Sequence, residues 1–153
     1  SLPLPLAAPC RMIICGQQIV IHREDLLVKA RRACVLPPAT AAELQDDDDE
    51  AEQPSAASKS EGDELNGHLL KSVIDGAHLC PLPQTEAAVY WQYDHALWLH
   101  PAPDVLILAD RQHQFNRTYE ETLAINPGAF ASDFSWMVYR PATRLVEASS
   151  LEE

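Results

Sequence analysis

A run of five consecutive acidic residues at positions 46–50 places the strongest constraint on how this chain can fold. The run lies within residues 39–64, a stretch rich in Glu, Ser, Ala and Asp that offers almost no apolar surface to bury. Nothing there offsets the conformational entropy that is lost on ordering. We therefore predict that residues 39–64 form a disordered acidic insertion, and that residues 1–38 and 65–153 together form one partial domain.

The residues before the insertion predict two strands and a helix. Two short apolar runs, residues 11–15 and 18–22, are typical of strands joined by a tight turn at Gly16. Residues 24–35 change to helical spacing, with acidic residues at the start and basic residues near the end, which suits the helix dipole. Pro37 then ends the helix.

After the insertion the apolar pattern predicts one more helix and several strands. Apolar residues recur at helical spacing from 69 to 74, and Gly76 can end that helix. Residues 105–109 are almost entirely apolar, which is typical of a strand in the middle of a sheet. The other predicted strands are 96–99, 122–125, 134–139 and 144–146. With six or seven strands in total, the predicted fold class is α/β or α+β, in layers.

A tight turn is predicted at Asn126, Pro127 and Gly128. Proline fixes φ at its own position, and glycine can adopt the positive φ that such a turn requires. We interpret the three residues as a structural turn rather than as a catalytic element.

The charge of the chain argues against a nucleic-acid-binding domain. The formal net charge is −12, so phosphate backbones would be repelled. Lys29, Arg31 and Arg32 form the one dense basic patch in the sequence. Since no apolar run approaches about twenty residues, no transmembrane helix is predicted.

The four cysteines fit no metal-binding motif. Their spacing contains no CxxC pair and no compact Cys/His set; they are Cys10, Cys15, Cys34 and Cys80. An even count leaves two disulfides open, but reduced and mostly buried thiols of an intracellular protein are the preferred interpretation.

Histidine and aspartate side chains near the predicted strand ends raise the possibility of a metal pair that activates water. The candidates are His78, Asp94, His95, His100, Asp104, Asp110 and His113. Their spacings match no compact ligand motif, so polar residues in loops and at strand ends are the simpler interpretation. The sequence has no glycine-rich phosphate loop and no GxSxG nucleophile motif.

Two aromatic residues, Trp91 and Tyr93, allow two interpretations. They could stack on a base or pack against a partner protein. Alternatively, they could take part in ordinary packing within the domain.

Six ordered segments resemble the B subunits of DNA polymerase epsilon. Residues 9–11 and 23–26 resemble that family's "NPCR … FREDL", and "KSVIDGAHLCPLP" resembles "KTVLSQGHLTPLP". The other four are "VYWQYD", "PDVLILAD", "INPGAF" and the tail 134–151. The similarity is collinear outside the acidic insertion. The sequence departs from the family pattern at Ala8, His95 and residues 111–115.

The resemblance implies a calcineurin-like phosphoesterase fold that has lost its catalytic activity. This chain would form the carboxy-terminal half of that fold. Active relatives bind metal through histidines at a GH motif and at a later GHxH motif. Here His78 remains at the first, whereas Asp110 and its neighbours replace the second. The resemblance therefore implies two vestigial metal positions, no catalytic residue, no metal and no cofactor.

The function implied by the resemblance is that of a non-catalytic scaffold subunit in nuclear DNA replication. Its partners would be the cysteine-rich carboxy-terminal domain of the polymerase epsilon catalytic subunit, the other epsilon subunits and components of the replicative helicase. DNA would be contacted only through the complex, and no membrane is expected. Tyr90, Trp91 and Tyr93 are the candidate contact residues. An active metallophosphoesterase, or a B subunit of polymerase alpha or delta, remains as an alternative.

Overall fold

The computed structural model describes residues 9–34 and 61–151 of the chain. Seven strands, three α-helices and one 3₁₀ helix are present in these ranges. The strands are β1 (Cys10–Ile14), β2 (Gln17–His22), β3 (Val105–Leu108), β4 (Phe115–Tyr119), β5 (Thr122–Asn126), β6 (Ser135–Arg140) and β7 (Leu145–Ser150). The helices are α1 (Leu26–Ala33), α2 (Glu61–Asp75), the 3₁₀ helix (Trp91–Leu97) and α3 (Phe130–Asp133).

Five strands form one sheet in the order β1-β2-β3-β5-β4. The three inner strands run parallel, and the two edge strands pair antiparallel. The apolar run that predicted a central strand is confirmed, since β3 lies in the middle of this sheet. Leu106 of β3 lies opposite Val20 on one side and Ala124 on the other, and none of the three is exposed.

The two faces of the sheet bury different layers. Alternate residues of a strand point to opposite faces, so Leu106 and Val105 enter separate clusters. Leu106 packs in the cluster that includes Leu27 of α1 and Leu70 of α2. Val105 packs on the opposite face, where Tyr139 of the β6–β7 hairpin covers it. These helical and hairpin layers around a mixed sheet confirm the predicted layered α/β architecture.

The hairpin between β1 and β2 turns at Cys15 and Gly16, which have φ of 52° and 78°. Positive φ at both central positions matches the right-handed twist of the two strands that they join. The tight turn predicted at Gly16 is therefore confirmed. The four cysteines are described, and none forms a disulfide. Their predicted burial is wrong, because Cys15 and Cys34 are exposed and the other two are half-buried.

One predicted strand, residues 96–99, is wrong. Ala96 and Leu97 end the 3₁₀ helix, and Trp98 contributes a single bridge to His78. The indole N–H of Trp98 donates to Asp94 Oδ2 at 2.8 Å, a contact four residues back that favours a helical turn. An apolar run of four residues cannot distinguish these two conformations.

The predicted acidic insertion is too long at its carboxyl end. Helix α2 begins at Glu61, so residues 61–64 are helical. Glu64 suits the first turn of a helix, where the dipole favours negative charge. The remaining residues of the predicted insertion, 39–60, lie outside the described ranges.

Two elements had no predicted counterpart. Strand β4 has the sequence FNRTY and is exposed at alternate positions, as befits the edge of the sheet. Its low apolar content gave no strand signal. Helix α3 has only four residues, too few to show a period. Within the described ranges, no helix has the length and apolarity needed to cross a membrane.

The turn after β5 is fixed by a side chain and by glycine. The Gly128 N–H donates to Asn126 Oδ1 at 3.3 Å, and Gly128 has a φ of +80°. A Cβ atom at Gly128 would collide with Ser135 Oγ. Gly16 has nearly the same φ, +78°, but a Cβ there would meet nothing within 4 Å.

A comparison of Gly16 with Gly128 distinguishes the energetic cost of a positive φ from the cost of a steric collision. Gly16→Ala should lower the free energy of unfolding by roughly 1–2 kcal/mol, the usual penalty for a left-handed conformation. Gly128→Ala carries the same penalty and also displaces Ser135, so its loss should be larger. Urea denaturation of the two variants tests this, and equal losses would contradict the proposed collision.

Candidate functional site

The carboxyl ends of the three parallel strands meet at one edge of the sheet. His22 ends β2, Asp110 follows β3 by two residues, and Asn126 ends β5. Ligands of open α/β sheets commonly bind at this edge. A metal or catalytic site would therefore be expected at this edge of the sheet.

Asp110 serves the backbone at this edge. The side chain is only 5% exposed, and Oδ2 accepts the N–H of Leu27 at 3.4 Å. Oδ1 accepts the N–H of Arg111 at 2.6 Å. Because Asp25 at the N-cap makes no side-chain cap, Asp110 supplies an acceptor for the first turn of α1 from a distant part of the chain. Burial raises the pKa of Asp110.

His22 is buried in the same region, although it was not identified from the sequence as a site residue. It is 7% exposed, and neither ring nitrogen has a hydrogen-bond partner among the described residues. Burial lowers the pKa of His22, while the nearby Glu24 and Lys29 act in opposite directions. The signal for its burial was available, since His22 lies two residues after Val20 and so shares the core-facing side of β2.

His78, the other residue that the resemblance predicts to be a vestigial metal position, lies elsewhere, and both of its ring nitrogens are hydrogen-bonded. Nδ1 accepts the N–H of Cys80 at 3.0 Å, and Nε2 lies 3.2 Å from Asp94 Oδ1. Since Nδ1 is an acceptor, the proton is on Nε2 and is donated to Asp94. The indole N–H of Trp98, and secondarily His78, hold the pKa of Asp94 below its usual range.

The seven metal candidates are not brought together. Of that set, only His78 and Asp94 are in contact. Asp104 accepts the Gln18 N–H and pairs with Arg144, both at 2.8 Å. The three further histidines are exposed: His95, His100 and His113. Across residues 9–34 and 61–151, no group of three His, Cys, Asp or Glu could hold a metal ion. The residues present do not fit the metal pair of an active phosphoesterase.

A second feature is more distinctive, because four large aromatic side chains are exposed around the 3₁₀ helix. Their exposed fractions are 75% for Tyr90, 70% for Trp91, 63% for Tyr93 and 52% for Trp98. We call these four residues the aromatic surface. Within the part of the chain that is described, they do not belong to a core.

The aromatic surface is held in place from two directions. Backbone hydrogen bonds join Leu79 to Leu97 at 2.8 Å and Leu99 to Ala77 at 2.7 Å. From β1, the Arg11 guanidinium donates to the carbonyl oxygen of Trp98. With the His78–Asp94–Trp98 contacts, these bonds fix the segment although its aromatic rings lie in solvent.

The lowered pKa of His22 predicts acid sensitivity. The unfolded chain binds a proton near pH 6.5 and the folded chain only at lower pH, so the stability is present above pH 6.5 and is lost as pH falls. The slope from this group cannot exceed about 1.4 kcal/mol per pH unit.

Urea denaturation at pH 7 and pH 5 measures this effect. His22→Leu should lose less stability between the two pH values than the wild type, because its side chain cannot take up a proton. It should also be no less stable than the wild type at pH 7, since two unpaired nitrogens are removed. Equal pH slopes in the two proteins would contradict the prediction.

Comparison with known proteins gives a consistent result. The profile of the DNA polymerase alpha/epsilon B-subunit family matches residues 5–117. The chain is 38% identical over 145 residues to DNA polymerase epsilon subunit 2 of Bos taurus. It is 37% identical over 145 residues to the Homo sapiens protein of the same name. The DNA polymerase epsilon B subunit of Arabidopsis thaliana is 35% identical over 143 residues.

These similarities cover nearly all of this chain and a small part of each relative. Each alignment spans 94% of this chain and 24% of the relative. The chain therefore spans about a quarter of the length of the curated relatives that it matches.

Proposed function

The chain belongs to the DNA polymerase alpha/epsilon B-subunit family, and from this premise we propose that it docks the catalytic subunit of DNA polymerase epsilon. Its relatives are named as epsilon subunits, so an accessory subunit of a replicative polymerase is the shared function. The observation that supports docking is the exposed aromatic surface, whose segment is hydrogen-bonded to neighbouring segments. The epsilon names of the relatives favour this complex over those of polymerase alpha or delta.

The aromatic surface has the chemistry of an interface core. Tryptophan and tyrosine are enriched among residues that contribute most to binding, because each buries a large area and loses little conformational entropy. Tyr90, Trp91 and Tyr93 lie close together in sequence and are each more than 60% exposed. Isolated exposed apolar residues are normal, but a contiguous group of them indicates an interaction site.

Preorganisation strengthens this proposal. Asp94 accepts from both Trp98 and His78, so the 3₁₀ helix is tied to the segment that follows α2. A partner that binds here does not have to order the segment. The free energy that ordering would otherwise cost remains available for affinity.

Charge indicates what kind of partner fits. With a net charge of −12, the chain favours a basic protein face and disfavours direct contact with DNA. We propose the cysteine-rich carboxy-terminal domain of the catalytic subunit as the partner, with the other epsilon subunits and replicative helicase components in the same assembly. Contact with DNA would then occur through the complex, and the site of action would be the nucleus.

We also propose that the fold is half of a phosphoesterase domain that has lost its activity. Two features support this proposal. Asp110, at the edge where active enzymes place ligands, is committed to the N-terminus of α1. His78 uses both ring nitrogens in structural bonds. An active metallophosphoesterase would need these groups to be free for metal.

Docking through the aromatic surface can be tested by substitution. In the full-length subunit, Trp91→Ala or Tyr93→Ala should weaken binding to the carboxy-terminal domain of the catalytic subunit at least tenfold. Residues at the centre of an interface typically contribute about 2 kcal/mol or more. Isothermal titration calorimetry gives the affinity, and circular dichroism checks folding.

Phe130→Ala is the matched control, because this ring is also exposed (58%) but lies on α3. It should leave the affinity unchanged. If the two aromatic-surface variants fold and bind as the wild type does, the proposed docking site is wrong. If the wild-type protein does not bind the domain at all, the partner is wrong.

The proposed loss of the metal site can be tested by elemental analysis of the purified subunit. The full-length subunit, purified without chelator, should contain no stoichiometric Mn, Fe or Zn and should show no phosphatase turnover. His78→Ala should lower the free energy of unfolding by roughly 1 kcal/mol, because the bonds to Asp94 and Cys80 are lost. A phosphatase activity abolished by His78→Ala would overturn the proposal.

A further inference from the structure

An open groove lies between α1, α2 and the extended segment that follows His78. Its volume is about 370 Å³, near the lower end of the range of protein ligand clefts. The apolar lining includes Leu27 and Leu69, which are buried, and Leu65 and Leu82, which are half-buried. None of these residues belongs to the aromatic surface, so the groove is a separate feature of the molecule.

The rim of the groove has a charge opposite to that of the chain as a whole. Arg31 lines the groove and His68 faces it from α2, while none of the lining residues within 9–34 and 61–151 is acidic. Arg31 is exposed and has no ion pair in the described ranges, unlike Lys29, which pairs with Glu24 at 2.6 Å. An apolar floor beside a basic rim is unexpected in a chain with a net charge of −12.

Helix electrostatics explains only part of this arrangement. Arg31 and Arg32 both lie in the last turn of α1, where a positive charge suits the helix dipole. The dipole accounts for a basic residue in that turn but not for the half-buried Leu65 and Leu82 of the apolar floor next to it. Burial of that floor would be favourable by the usual hydrophobic transfer.

We propose that this groove binds a short amphipathic segment of a partner protein. The apolar side chains of the segment would lie on Leu65, Leu69 and Leu82, and an acidic side chain would pair with Arg31. A carboxylate fits the arginine fork, which can donate two parallel hydrogen bonds. Helices that bind in grooves use apolar anchors on one face in the same way.

Other ligand classes fit the groove less well. A small molecule needs several convergent polar groups in a pocket to fix its orientation. The Ser72 hydroxyl, one of the few polar groups in the lining, is already bonded to the carbonyl oxygen of His68 at 2.9 Å. A nucleic acid would need several cations along its backbone, and Arg31 is the only lysine or arginine among the described residues of the lining.

The inference is tested with a random 16-residue peptide display library, with the purified full-length subunit as bait. Selected peptides should share at least one Asp or Glu and two or more apolar residues. Fluorescence anisotropy on synthetic copies should show at least a tenfold loss of affinity with Arg31→Glu. Arg32→Glu makes the same charge change one residue away and outside the lining, and it should weaken binding less than threefold.

Leu82→Ala supplies a second variant that does not change charge, and it should also weaken binding at least fivefold. A neutral or basic consensus, no enrichment, or equal effects of Arg31→Glu and Arg32→Glu would overturn the inference. If peptides are enriched only after residues 39–60 are deleted, the groove binds that segment of the chain itself. This outcome would also overturn the inference. Self-association of the subunit that is lost with Arg31→Glu would assign the groove to a second copy, with the same consequence.

These outcomes are independent of the docking test on the aromatic surface. The peptides are measured on the subunit alone, without the catalytic subunit. Trp91→Ala should leave peptide binding unchanged, because Trp91 lies outside the groove. Failure of one proposal therefore leaves the other standing.

Discussion

The pairing of β2, β3 and β5 into a parallel sheet is the constraint on which the rest of the structure depends. Leu106 lies at its centre, completely buried between Val20 and Ala124. Alternation along β3 sends Leu106 to the helical layer and Val105 to the hairpin layer. The hairpin is also tied to the sheet by Tyr139, whose hydroxyl donates to Gln17 Oε1 at 2.5 Å. Because β3 is buried on both faces, the helical layer packs against one face of the sheet and the hairpin layer against the other.

The polar groups at the carboxyl edge of this sheet now hold the backbone. Asp110 caps α1, and Asn126 donates to the carbonyl oxygens of Gln112 and His113 at 3.2 and 3.3 Å. His22 is buried there, and neither ring nitrogen has a hydrogen-bond partner within residues 9–34 and 61–151, which costs stability. Among the described residues, this edge positions loops and helices and brings together no three His, Cys, Asp or Glu side chains that could hold a metal ion.

One extended segment connects the two surfaces to which we assign partners. Leu79 in this segment bonds to the 3₁₀ helix and so supports the aromatic surface, and three residues later Leu82 lines the groove. His78, once a candidate ligand, fixes the start of the segment through Asp94 and Cys80. His78, a predicted metal position, therefore also supports the segment that lies between the two proposed binding surfaces.

The sequence by itself determined the family, the central strand at 105–109, the positive φ at Gly128 and the aromatic character of residues 90–93. These properties follow from local composition and period. Only the tertiary structure decided that Asp110 caps a helix 83 residues away, that His22 has no hydrogen-bond partner among the described residues and that Ala96 and Leu97 are helical. The physical reason is that burial and hydrogen-bond partners depend on distant segments, which no local pattern specifies.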